Sequence, residues 1–269
     1  MRKLILALVV SIAAAQTQPP AFEVASVKPA AHAEGRSLLQ ALQGRLTMTN
    51  LSLRRLILIA YGVQDYQLTG DPSWIGSEHY DIEAKADGNV SVQKMEGPML
   101  QALLAERFKM TLHRETRQLP VYELAVANGA RLQLSKEGSC TPYSADAPPP
   151  AATPGQPRPT FCGLRIGTEE LNRTLDGKGV TMAALAANLS RTYNSMLGRN
   201  VIDATGLTGE FDIHLKWAID DLSHPTAGPD PTGPSIFTAL QEQLGLKLKS
   251  TKGPVEVLVL DHIEKPSAN

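Results

Sequence analysis

Most signatures that would announce a chemistry are missing from this chain of 269 residues. It holds only two cysteines, too few for a cysteine-rich zinc module or a disulfide-dense scaffold. Its formal charge is −1 with no long basic run, which disfavours binding to nucleic acid by counterion release. Beyond the first few residues there is no apolar stretch near the roughly 20 residues that a membrane helix needs. The strings Gly-x-Ser-x-Gly, His-Glu-x-x-His, Gly-x-x-x-x-Gly-Lys-Ser/Thr and Gly-x-Gly-x-x-Gly do not occur. Their absence removes the nucleophile elbow, the helical zinc protease site, the phosphate loop and the dinucleotide turn. The six histidines, at 32, 79, 113, 214, 224 and 262, are scattered.

What is present begins with an export pattern. Met1-Arg2-Lys3 is a short basic start, Leu4 to Ile12 is apolar except for Ser11, and Ala13-Ala14-Ala15 supplies small residues for cleavage before Gln16. Residues 1–15 are therefore read as a signal peptide. The mature part is expected outside the cytoplasm, periplasmic or secreted, with no membrane span after cleavage. Losing Arg2 and Lys3 takes the charge from −1 to −3. In an oxidising compartment Cys140 and Cys162, 22 positions apart, are expected to pair. Closing that loop is worth roughly 3 kcal/mol in the chain-entropy account. Asp146 to Pro159, between the cysteines, is proline-rich and reads as an extended linker. A second stretch rich in Pro and Gly runs from His224 to Ser235.

The segments on either side of the linker resemble one another. Thr69-Gly70 precedes Tyr80-Asp81-Ile82-Glu83-Ala84-Lys85, and Thr205-Gly206 precedes Phe211-Asp212-Ile213-His214-Leu215-Lys216. Helical spacing follows at Met99 to Phe108 and at Ile236 to Leu244, then alternating strands at 109–113 and 246–249. Each half closes on Pro-Val-x-x-Leu, at Pro120 and at Pro254. Earlier helices are expected at Leu53 to Tyr61, stopped by Gly62, and at Met182 to Tyr193, capped by Thr181. Short strands are expected at Phe22 to Val27 and Arg45 to Met48. The fold class is α+β, two duplicated helix–strand–strand–helix–strand–strand units with largely antiparallel sheets. The expected boundaries are 22–136 for the first unit, 137–176 for the disulfide-closed linker and 177–266 for the second unit.

Several strings resemble a family of exported proteins of unknown function, abundant in Acidobacteria and other soil bacteria. They are Phe22-Glu23-Val24-Ala25-Ser26-Val27-Lys28-Pro29, Glu106-Arg107-Phe108-Lys109, His113-Arg114-Glu115-Thr116-Arg117, Val201 to Gly209 and Phe237 to Leu246, with Glu264-Lys265-Pro266-Ser267 at the close. The resemblance covers essentially the whole mature chain. It implies no catalytic residues; fusion of some members to membrane metallopeptidase sensors of the beta-lactam-receptor kind implies sensing or binding. The repeated α+β units also resemble, in outline, the short domains at the N-termini of secretins and TonB-dependent receptors, a likeness of fold from which function does not follow.

Candidate chemistry is sparse. Ser91-Val92-Gln93-Lys94 has the spacing of a lysine-activated serine, but without companion motifs Ser91 reads as a helix cap. His79-x-Asp81 and Asp212-x-His214 each place two polar side chains on one strand face, which suggests a metal-assisted site if the repeat brings the strands together. The simpler reading leaves them on a wet face, opposite core residues Tyr80, Ile82, Phe211 and Ile213. Equivalent positions for Asp81 and Asp212 suggest a shared role in holding a turn through backbone N–H groups. His113 to Arg117 reads as a charged hairpin tip, and Trp74 and Trp217 as packing residues. No cofactor is implied. The expected function is an extracytoplasmic binding or interaction module whose partner is another cell-envelope protein or an extracellular ligand; the alternative is a secreted or periplasmic hydrolase built on His79, Asp81, Asp212 and His214. Edman or mass-spectrometric sequencing of protein recovered from a secreting host should find Gln16, or a residue next to it, as the first residue; retained Met1 would refute the export reading.

Overall fold

A computed structural model describes residues 20–31, 35–127, 129–142, 159–170, 172–191, 197–218 and 233–266. Residues 1–15, read above as a signal peptide, His32, His224 and most of the proline-rich linker lie outside these.

The first half opens with β1 (Val24–Pro29), then the hairpin of β2 (Leu38–Leu42) and β3 (Arg45–Ser52). Helix α1 (Leu53–Tyr61) follows at once. The Ser52 hydroxyl accepts from the Arg55 N–H, and Gly62 closes the helix in the left-handed region at φ 62°, as its lack of a Cβ allows. Next come β4 (Leu68–Thr69), α2 (Trp74–Ser77) and β5 (His79–Lys85). Ser91 caps α3 (Val92–Lys94) through the Lys94 N–H, as expected. A kink at Gly97-Pro98 separates α3 from α4 (Leu100–Arg107). β6 (Thr111–Val126) and β7 (Gln133–Leu134) complete this half.

The second half runs β8 (Gly163–Glu169), β9 (Asn172–Val180), α5 (Met182–Arg191), β10 (Val201–Asp203), β11 (Phe211–Ala218), α6 (Ile236–Ala239) and β12 (Leu246–His262). Thr181 Oγ1 accepts from the Ala184 N–H at 3.1 Å, so the cap expected for α5 is in place. That helix is described to Arg191; the remainder of its expected span, to Tyr193, lies outside the described residues.

The class is mixed helix and strand with mainly antiparallel sheets, as the sequence indicates. The strand orders of the three sheets are β1-β5-β3-β2, β7-β11-β9-β8 and β10-β6-β12-β4. The first two orders correspond position by position, from an early flanking strand to a hairpin edge. In the third, β10 runs parallel to β6 and β4 runs parallel to β12. β6 and β12 pair antiparallel from Thr111–His262 to Val126–Leu246.

Four expectations are corrected. His113 to Arg117 is not a hairpin tip but the interior of β6, and Pro120 does not start a new strand. Tyr122 N–H donates outward to Asn200 and Leu124 C=O accepts from Ala204, so even-numbered residues of β6 face away from β12. Pro120 shares that parity, and its missing N–H removes no bond from the β6–β12 ladder. On β12, Glu256 and Leu258 present their carbonyls outward to Gln67 and Thr69, which excuses Pro254 in the same way. Residues 163–176, expected in the linker, form β8 and most of β9; the glycines of Asp176-Gly177-Lys178-Gly179 hide a strand whose apolar positions do not alternate simply. β7, expected in the first unit, pairs with β11 of the second half.

The long ribbon also distributes the core. Leu124, from β6, is buried among Leu175, Leu185, Leu215 and Leu246 of the second half. Leu258 and Leu260, from β12, are buried among Leu46, Leu56, Ile82 and Leu104 of the first. The opposite ribbon face gathers Val121, Val255 and Val257 against Tyr66 and Ile202. Period-two alternation thus sends one face of each long strand to the other half's core. Tyr66 O–H donates to Asn200 Oδ1 at 2.9 Å as a polar cross-tie, and burial raises the phenol to about 12. Leu258→Ala should cost about 2–5 kcal/mol through the cavity it leaves and shift one shared transition. Urea unfolding followed by Trp74 and Trp217 fluorescence checks this; two separated transitions would show that the halves are energetically independent.

Candidate functional site

The four residues suggested by sequence are divided between two sheets. His79 and Asp81 stand on β5, in the sheet ordered β1-β5-β3-β2, and Asp212 and His214 on β11, in that ordered β7-β11-β9-β8. Among the described residues no hydrogen bond or ion pair joins the pairs, and no group of three or more His, Cys, Asp or Glu side chains is placed to hold a metal.

The two aspartates do share a local task. Asp81 Oδ1 accepts from the backbone N–H of Asn50 at 2.8 Å, where the β3–β5 register shifts between Met48 and Leu51 and Asn50 takes φ 54°. Asp212 lies where the β9–β11 register shifts, facing Gly179 at φ 60°. Ser135 Oγ donates to Asp212 Oδ1 at 2.6 Å and accepts from the Gly179 N–H at 3.0 Å. Asp81 directly, and Asp212 through the Ser135 hydroxyl, thus satisfy a backbone donor that a β-bulge has freed from the ladder. A Cβ on Gly179 would stand 2.9 Å from Cys140 Sγ, so only glycine fits between the bulge and the disulfide.

Around Asp212 and His214 a groove of about 390 Å³ opens on the solvent face of the β8–β9–β11 sheet. Its walls include Phe161, Arg165, Asp176, Lys178, Asp212 and His214. Register explains the convergence: Arg165 stands opposite Asp176 on the neighbouring strand, and Asp176 stands opposite His214. His214 Nδ1 lies 2.6 Å from Asp176 Oδ1, which orients the ring and leaves Nε2 toward solvent. Lys178 pairs with the other oxygen of Asp212. A Cβ on Gly177 would come within 2.9 Å of both Leu164 Cδ2 and Val180 Cγ2, so glycine there serves packing on the core face, opposite Asp176 and Lys178. The Cys140–Cys162 disulfide, with Cα atoms 5.0 Å apart, fixes the strip carrying Phe161 at the rim. The pairing expected from sequence is present.

Lys178, then Ser135 and the Gly179 N–H, hold the Asp212 carboxyl below the usual carboxylate range. A depressed folded pKa contributes stability that is present above the ordinary aspartate pKa and disappears as pH falls through the folded value. The exposed pairs His214–Asp176 and Lys216–Glu169 add little to stability.

Sequence reading found Asp212 and His214 but missed Asp176, Lys178, Arg165, Phe161 and Ser135, because most of them fall in or beside the supposed linker. The glycine-spaced Asp176-Gly177-Lys178-Gly179 was the available signal. His79 is engaged elsewhere, with Nδ1 3.0 Å from the Ser77 carbonyl. His113 bridges Asp261 and Glu115 across the β6–β12 ribbon. Trp217 is buried in the second core, while Trp74 is partly buried beneath the Lys265 ammonium. A wider hollow of about 870 Å³ beside α1 is lined in part by Arg54, Arg55, Tyr66, Glu96 and Arg191, with Arg54 already paired to Asp65 and Asp71.

Asp212→Asn should lower stability at neutral pH by about 1 kcal/mol, the scale of one hydrogen bond to a charged group reduced for exposure. The gap from wild type should close as pH falls below about 4. Thermal melts of both proteins across that range test it; a gap independent of pH would mean the carboxylate charge is not what Lys178 and the bulge require.

A family model described as a protein of unknown function, DUF3738, matches residues 54–263, and the chain belongs to that family. No curated protein and no solved structure matches the chain.

Proposed function

We propose that this DUF3738 member is an exported, extracytoplasmic binding module that takes a segment of another cell-envelope polypeptide in the groove between β8, β9 and β11. The observation that carries the reading is the unequal use of two similarly paired sheets. At the register positions where the second half has Arg165, Asp176, Lys178 and His214, the first half has Gln40, Thr47, Thr49 and Glu83. Both halves keep their bulge-holding aspartate, and the first sets Lys28 opposite it, but the second gathers Arg165, Asp176, Lys178 and His214 about it and adds Phe161 at the rim. Fixed charges of alternating sign suit an extended, charged peptide, whose orientation they select more than they raise its affinity. The disulfide supports a location in an oxidising compartment, in keeping with the basic and apolar start of the chain. The matching sheet orders support an internal duplication in which one copy acquired this surface. The resemblance to receptor-linked relatives supports recognition as the task.

The His214–Asp176 pair favours a second reading, hydrolysis, because a carboxylate-oriented imidazole with a free Nε2 has the form of a general base. That reading needs a nucleophile, and among the described residues no hydroxyl is hydrogen-bonded to Nε2. A photo-crosslinking residue in place of Phe161, irradiated in the native envelope, should give one discrete protein adduct. The adduct should fall at least about tenfold when Arg165 and Asp176 are replaced by Ala. Absence of any adduct, or one indifferent to those replacements, refutes the module; ester or peptide hydrolysis abolished by His214→Ala would install the hydrolase instead.

A further inference from the structure

Edge strands invite pairing, and natural sheets blunt them with charge, proline or brevity. Here β1 carries Lys28 and Pro29, β8 carries Arg165 and Glu169, and β4, β7 and β10 span only two or three residues. The free stretch of β6 holds His113, Arg114, Glu115 and Arg117. β2 is the exception among the described edges. Its sequence, Leu38-Leu39-Gln40-Ala41-Leu42, has no charge and no proline, and Leu38 and Leu42 are 50% and 58% exposed, with Leu39 at 39%. Its counterpart in the second half, β8, shows that this fold tolerates charges at such an edge.

The backbone defines what the edge can accept. β2 and β3 are joined by Gln43 and Gly44, both in the left-handed region at φ 51° and 73°, the geometry of a tight two-residue hairpin. In such a hairpin the closing pair Leu42–Arg45 is hydrogen-bonded, and bonding pairs then recur at every second residue. Gln40 and Leu38 therefore turn their backbone groups to Thr47 and Thr49, while Leu39 and Ala41 present theirs outward.

We propose that β2 pairs antiparallel with β2 of a second copy of this chain, joining two four-stranded sheets across a twofold axis at Gln40. In that register Leu39 meets Ala41 of the other copy twice, so the outward donors and acceptors form four hydrogen bonds. Leu38 meets Leu42 on one face, covering both exposed side chains, and Gln40 meets its own equivalent. A twofold contact needs a surface complementary to itself, and a short strand without charge meets that condition where a charged one sets like charges side by side. The contact is small against the roughly 1,200–2,000 Å² of stable interfaces, so the dimer forms at micromolar concentration and exchanges. It uses a different sheet from the β8–β9–β11 groove and stands or falls independently of that assignment.

The register gives a charge-exchange test. Gln40 is exposed, so Gln40→Lys and Gln40→Glu leave the monomer fold intact, checked by far-ultraviolet circular dichroism. In sedimentation velocity at about 100 μM the mature protein should show a dimer that weakens about tenfold or more in either variant, because each sets like charges opposite one another. Mixing the variants in equal amounts should restore it as a mixed dimer. A wild-type protein that stays monomeric at that concentration overturns the proposal, as does a dimer that persists unchanged in both variants.

Discussion

Everything in this molecule hangs on the antiparallel ladder between β6 and β12. These two strands, one from each half, are paired along nearly their whole lengths, and each delivers apolar side chains to the core of the other half. Leu124 completes the second core, and Leu258 with Leu260 completes the first. Backbone hydrogen bonds alone would add little net stability. What makes the ladder decisive is that Leu124, Leu258 and Leu260 are buried, so displacing either strand would open cavities in the opposite half. The short strands β4 and β10 extend the same sheet at opposite ends, and Tyr66 to Asn200 ties them across the middle.

On this frame the two flanking sheets are free to differ where they face water. Both keep the bulge and the aspartate that satisfies it, because an unpaired backbone N–H in a sheet is costly wherever it occurs. Beyond that shared element the surfaces diverge. One sheet presents Asp176, Lys178, Arg165 and His214, and the other presents Thr47, Thr49, Glu83 and Gln40 beside an apolar edge. The recognition proposed for one surface and the self-pairing proposed for the other are compatible, since they use different sheets.

Local elements were legible in the sequence to the extent that local physics decides them. Ser91 and Thr181 announce helix starts and Gly62 a helix stop, because capping depends on neighbours within one turn. The alternation of β5 and β11 showed through for a similar reason: one face is buried against helices and the other is wet. The prolines at 120 and 254 misled, since whether a missing N–H matters depends on which way the residue faces in a pairing made with a distant strand. The linker was overextended because Gly177 and Gly179 serve close packing and a bulge, roles that appear only once β8, β11 and the disulfide surround them. The candidate site suffered most. Asp212 and His214 were visible as a pair on one strand, but their true neighbours come from β8 and β9, and the resemblance to His79 and Asp81 pointed toward a meeting that separate sheets prevent.

The exchange of long strands also has a consequence in time. The first core is assembled from residues near the start of the chain together with Leu258 and Leu260, close to its end. Until β12 has been made, Leu46, Leu56 and Ile82 lack the side chains that seal them, and no early portion of the chain can settle into its final form. Contacts so distant along the chain make folding slow. The order of synthesis itself therefore keeps the chain loose until its last strand has been made.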